Sequence, residues 1–99
     1  MALLIRFTKR AAAQIELADH WWAENRPSAP QAFREDLEAA FAILVYQPNI
    51  GARVSNTRLA GVRRLHLARI RYHLFYRVKE DALVVLALWH TSRGKRPEL

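Results

Sequence analysis

Three short apolar runs follow one another between Leu59 and His90, LAGVRRLHLARIRYHLFYRVKEDALVVLALWH, and no other stretch restricts the possible folds so sharply. Their spacing predicts strands over about Val62 to Leu67, Ile70 to Val78 and Leu83 to His90. Successive side chains on a strand point to opposite faces, so Ile70, Tyr72, Leu74, Tyr76 and Val78 share one side of the middle run. Arg71, His73, Phe75 and Arg77 share the other. The first side asks for a core and the second for a partner. The third run is apolar on both faces, which suits an interior strand covered on each side. Ala68-Arg69 and Lys79-Glu80-Asp81-Ala82 are expected to be the turns between the runs.

Upstream, Leu3 to Phe7 reads as a short first strand. Thr8 is placed to cap a helix by accepting a backbone N–H bond. Ala11, Ile15, Ala18 and Trp22 then recur at helical spacing, with Glu16, Asp19 and Glu24 on the other face. Asn25-Arg26-Pro27 ends that helix, since the residue before a proline is pushed out of the α region. Of the adjacent Trp21 and Trp22, one must pack inward and the other lie near the helix edge. Ser28-Ala29-Pro30-Gln31 has the S-x-x-Q form of a capping box and predicts the start of a second helix. Phe33, Leu37, Ala40, Phe41 and Leu44 form its apolar stripe, and Gln47-Pro48-Asn49-Ile50-Gly51 stops it. Two helices joined by two or three residues lie antiparallel. Residues 49–61 form a basic connection with no periodicity. The expected fold is α+β in the order β-α-α-β-β-β, a helical hairpin packed on one face of a mostly antiparallel sheet. Residues 1–99 are expected to form one domain, with about 91–99 a loose polar tail.

Several functions are excluded early. No P-loop, G-x-G-x-x-G, H-E-x-x-H or G-x-S-x-G pattern occurs, so nucleotide, zinc-protease and serine-hydrolase readings have no support. The four histidines do not pair with carboxylates at metal-ligand spacing, and no metal or cofactor is expected. Absence of cysteine removes disulfides and thiolate chemistry. The opening run is too short for a signal peptide, and nothing approaches the roughly 20 apolar residues of a membrane span. A cytoplasmic protein with no membrane partner is expected.

The net charge of +7 is unevenly placed. Residues 1–48 carry five Arg or Lys against six Asp or Glu, and residues 80–99 carry three against three. Residues 49–79 carry eight basic side chains and no acid, so the whole excess sits there. Such a surface attracts nucleic acid or an acidic protein segment. If the strand registers hold, Arg64, His66, Arg71, His73, Arg77 and His90 converge on the sheet face away from the helices. A metal-free ribonuclease needs such groups, with histidine to move protons and arginine to hold phosphate. The same groups would equally hold an acidic partner through forked hydrogen bonds.

The run Gly61-Val-Arg-Arg-Leu-His-Leu, then Arg71 to Val78, then Val84 to His90 with Arg93 and Pro97 behind it, resembles the RelE/ParE superfamily of toxins from bacterial type II toxin-antitoxin systems. The resemblance implies a growth-inhibiting toxin bound in a hetero-oligomer by a cognate antitoxin whose acidic C-terminal segment wraps it. ParE-like members poison DNA gyrase, whereas RelE-like members cleave messenger RNA on the ribosome. For the second activity the resemblance implies Arg71, His90 and Arg93 as catalytic candidates. No aromatic follows Trp89, and no carboxylate or lysine base is evident, so the gyrase branch is favoured. Arg64, His66, Arg71, His73, Phe75 and Arg77 are the expected antitoxin- or target-binding residues. A non-toxic nucleic-acid-binding module is the third alternative, since aromatic and basic groups interleave here.

Overall fold

Thr8 fixes the junction between the first strand and the first helix. Its hydroxyl accepts a hydrogen bond from the Ala11 amide at 3.0 Å and donates to the Leu86 carbonyl at 3.3 Å, tying a helix N-terminus to the middle of the sheet. The computed structural model of the protein describes residues 2–99. Strand β1 (Leu4–Phe7) leads into α1 (Lys9–Asn25), which stops before Pro27 as expected and buries Ala11, Ala18 and Trp22. Trp21 stays 44% exposed. Helix α2 (Ala32–Leu44) returns alongside α1 and buries Phe33, Leu37, Ala40 and Leu44. No described helix is long and apolar enough to cross a membrane.

The predicted capping box does not form. Gln31 precedes α2 with helical dihedrals and makes no side-chain cap. Ala29 supplies the explanation, since its carbonyl accepts from the Trp22 indole at 2.8 Å and from the Ala32 amide at 3.2 Å. Burial of Trp22 thus pins the connection, which occupies residues 26–31 rather than two or three positions.

A 3₁₀ turn (Pro48–Ile50) and a two-residue strand β2 (Ala52–Arg53) lie in the segment where no periodicity is visible. Then come β3 (Arg63–Leu67), β4 (Tyr72–Lys79) and β5 (Ala82–His90). The sheet runs β1-β5-β4-β3-β2, antiparallel except where β1 pairs with β5 in parallel. It is α+β, with the hairpin on one face, as the sequence predicts. The hairpin-side core joins Trp22, Phe33 and Leu44 to Leu74, Tyr76, Leu83 and Val85. A smaller cluster of Val62, Phe75, Leu86 and Ala87 occupies the other face.

Two departures rearrange the site. The turn after β3 spans residues 68–71, and Arg71 sits in it with φ +63°, outside the strand where alternation placed it. In β5 the register slips: Phe75 faces Ala87 while Tyr76 faces Val85, so Leu86 is an extra bulged residue. A one-residue insertion reverses which side every later residue faces. His90 therefore lies on the helix side, packed edge-on to Tyr72 with ring centroids 5.0 Å apart, and not beside His73. Val78 also departs from the core reading, being 42% exposed at the far end of β4. The terminal segment 91–99, expected to be loose, folds back over the second face. Leu99 packs on its apolar cluster and Pro97 is buried. Trp89, Arg10 and Arg58 hold the backbone carbonyls of Lys95, Glu98 and Leu99 respectively.

Candidate functional site

On the sheet face away from the helices, β3 and β4 place their side chains in cross-strand rows. Arg64 stands opposite Phe75, and His66 stands opposite His73. The two imidazoles meet edge to face with centroids 4.9 Å apart. Beyond them Trp89 faces His73 across the β4–β5 pair, and the Arg93 guanidinium lies 4.0 Å from the Trp89 ring centre. Arg77 occupies the other end of the row on β4, reaching the Ala60 carbonyl at 3.5 Å. The result is a basic, partly aromatic shelf.

Its electrostatics follow from what is missing. Among the described residues, ion pairs join Arg34 to Asp19 and Arg69 to Glu35 and Asp36. Arg69, although part of the basic segment, is thereby neutralised against α2. Arg64 and Arg77 have no acidic partner among the described residues. Burial holds His73 below the ordinary histidine pKa, and the nearby charges of Arg64 and His66 push the same way. His73 Nδ1 and Arg77 Nε are both buried without a hydrogen-bond partner. A surface whose arginines lack acidic partners is suited to acceptor-rich, anionic groups.

Of the residues expected to bind a partner, Arg64, His66, His73 and Arg77 come together on this shelf. Phe75 shares the face but is 1% exposed, because Leu99 and its neighbours pack over it. Arg71 is set apart at the end of the sheet, where its amide donates to the Leu67 carbonyl and its carbonyl accepts from Thr91. The three nuclease candidates do not gather on the shelf. His90 faces the helices, Arg71 is in the turn, and Arg93 borders both sides through Trp89 and a cleft next to Tyr72. No group of three or more potential metal ligands occurs among the described residues.

A second surface lies between the helices. Ile15, Phe33, Leu37 and Phe41 line a groove of ≈ 410 Å³ whose rim carries Glu16, Asp19, Arg34 and Glu38. A third is the cleft of ≈ 340 Å³ at the end of the sheet, lined by Gln14, Trp21, Tyr72 and His90 among others. Sequence reasoning missed that cleft. Its elements are distant in the chain, and only the β5 bulge brings His90 to the helix side.

Comparison with known proteins fits this architecture. Residues 5–94 match the family model described as the ParE toxin of type II toxin-antitoxin systems, parDE. The fold superposes on a chain of the chromosomal ParDE toxin-antitoxin system from P. aeruginosa with a TM-score of 0.69 at 24% identity, covering 92% of this chain and 98% of that one. It also superposes on a mutant of the E. coli toxin RelE in its free state, with a TM-score of 0.57 at 17% identity, covering 95% and 88%. At these identities the two likenesses are of fold. No curated protein matches the sequence significantly.

Proposed function

Because this chain belongs to the ParE toxin family of type II toxin-antitoxin systems, we propose that it arrests growth by poisoning DNA gyrase in the cytoplasm until a cognate antitoxin sequesters it. The match over residues 5–94 carries this reading. The shelf supports the antitoxin half of it. Arg64 and Arg77 lack acidic partners among the described residues, and an acidic C-terminal antitoxin segment would supply them. The groove between α1 and α2 suits an apolar continuation of the same segment, since helix-in-groove docking needs an apolar floor and a polar rim. A hetero-oligomer is the resting state on this reading. Gyrase poisoning needs no reacting group from this chain; His90 and Arg93 border the cleft at the end of the sheet, Arg71 lies in the turn, and the three are not gathered on the shelf.

The test has two stages. Expression of the chain alone should stop bacterial growth, and co-expression of the neighbouring gene should restore it. Purified toxin should then block supercoiling by gyrase in vitro and trigger the DNA-damage response in cells. Cleavage of ribosome-bound message with supercoiling unaffected would assign the chain to the messenger RNA endonuclease activity instead. Normal growth with soluble toxin present, in the host of origin as well as in a surrogate, would remove the toxin reading altogether.

A further inference from the structure

The cleft at the end of the sheet has a chemistry of its own. Gln14 accepts the Leu88 amide through Oε1 at 2.9 Å, which leaves its NH₂ as the free end. His90 Nδ1 accepts the Ser92 amide at 3.1 Å, so the neutral ring carries its hydrogen on Nε2 and offers a donor there. Burial raises the Tyr72 pKa, with Arg93 nearby acting in the opposite direction, so the phenol keeps its proton at neutral pH and is a third donor. The Arg93 guanidinium carbon sits over the Trp89 ring, and its N–H groups have no hydrogen-bond partner among the described residues. Four donors therefore border one cleft, and no carboxylate lines it. The remaining walls are apolar: Leu17, Leu88 and the half-exposed Trp21. A volume of ≈ 340 Å³ lies at the lower end of the range for small-ligand sites.

We infer that this cleft binds a small planar organic anion, with the anionic group held by Tyr72, His90 Nε2, Arg93 and the Gln14 amide, and the flat apolar body held against Trp21 and Leu17. Both parts are needed. Donors without acceptors favour the charge, and an exposed indole beside them favours a ring over bare phosphate. The site lies on the helix side of the sheet, opposite the basic shelf, and does not depend on what the toxin attacks.

The test is an NMR titration of the purified full-length chain, following the Trp21 indole and His90 imidazole signals, with benzoate, adenosine monophosphate and inorganic phosphate as separate probes. Saturable shifts at both residues are expected with one or both planar anions, and weaker, non-saturating shifts with phosphate. Benzoate alone would identify an aromatic carboxylate as the source, and adenosine monophosphate alone a nucleotide. Tyr72→Phe and Arg93→Gln should each weaken binding roughly tenfold, the loss of one good hydrogen bond, with circular dichroism and melting temperature unchanged. Phosphate saturating as tightly as the planar anions would overturn the inference. So would shifts confined to His66 and His73, an absence of binding by both planar probes, or two folded variants that bind like the original chain.

Discussion

Tyr76 shows how much one hydroxyl can carry. The side chain is fully buried, and its OH donates to the Pro48 carbonyl at 2.7 Å while accepting the Gly51 amide at 3.0 Å. That pair of bonds attaches the 3₁₀ turn to the sheet. Tyr76→Phe keeps the ring but orphans both backbone groups, so stability should fall by about 1–3 kcal/mol in urea unfolding with an unchanged m-value. Gly51→Ala should fare worse, because a Cβ there would collide with the Tyr76 hydroxyl. His73 gives a pH prediction. Its folded pKa is lowered by burial first, then by Arg64 and His66, so the unfolded chain binds more protons in the window just below the ordinary histidine pKa. Stability contributed by neutral His73 is present above that window and declines as pH falls through it. Between about pH 7.5 and about pH 5.5, unfolding free energy should drop, and His73→Asn should flatten the slope. An equal slope in the variant would show that another group is responsible.

At the level of elements, the bulge at Leu86 and the returning tail decide which surfaces exist. Deleting Leu86 would close the bulge and restore simple alternation in β5 with Ala87 and Trp89 still on the shelf side and His90 still on the helix side, but it would remove a buried leucine and the carbonyl that accepts from Thr8. The expected result is a single cooperative transition by circular dichroism at a lower melting temperature. Truncation after Arg96 should leave the fold intact but uncover Val62, Phe75 and Leu86, increasing binding of a hydrophobic dye and lowering stability by on the order of 2 kcal/mol. Both elements mark the limit of what the sequence discloses. Strong periodicity made α1, α2, β3 and most of β4 and β5 legible, as did the Thr8 cap. A bulge inserts one ordinary leucine into an apolar run, and nothing local distinguishes it from its neighbours. The same holds for a tail of polar residues whose contacts are mostly backbone carbonyls, and for a two-residue strand. For the site, Arg64, His66, His73 and Arg77 were legible because they lie on β3 and β4, before the slip is felt. His90 follows the bulge and Arg71 takes a left-handed turn, which is why both were misplaced.

Across the whole molecule, the separation of cations from acids sets the expected energetics of partner binding. If Arg64 and Arg77 hold an acidic antitoxin segment, each exposed contact should contribute roughly 0.2–1 kcal/mol. Calorimetry with the antitoxin should show graded weakening for Arg64→Ala, Arg77→Ala and the double variant, with shallower salt dependence at each step. Arg71→Ala, at the end of the sheet, should add independently of the other two. His90→Ala should retain toxicity, since His90 lies on the face opposite the shelf. A folded His90→Ala chain that binds antitoxin normally but no longer arrests growth would contradict this and point to nuclease chemistry. The pairing of β1 with β5 bears on something else, the order of events during synthesis. Leu4 to Phe7 find their partners only at Ala82 to Val85, and β5 is also the strand against which α1 packs. The apolar stripe of α1 and the edge of β1 therefore stay uncovered until β5 has been made. The nascent toxin is unfinished until β5 appears, an interval in which an antitoxin already present can meet it first.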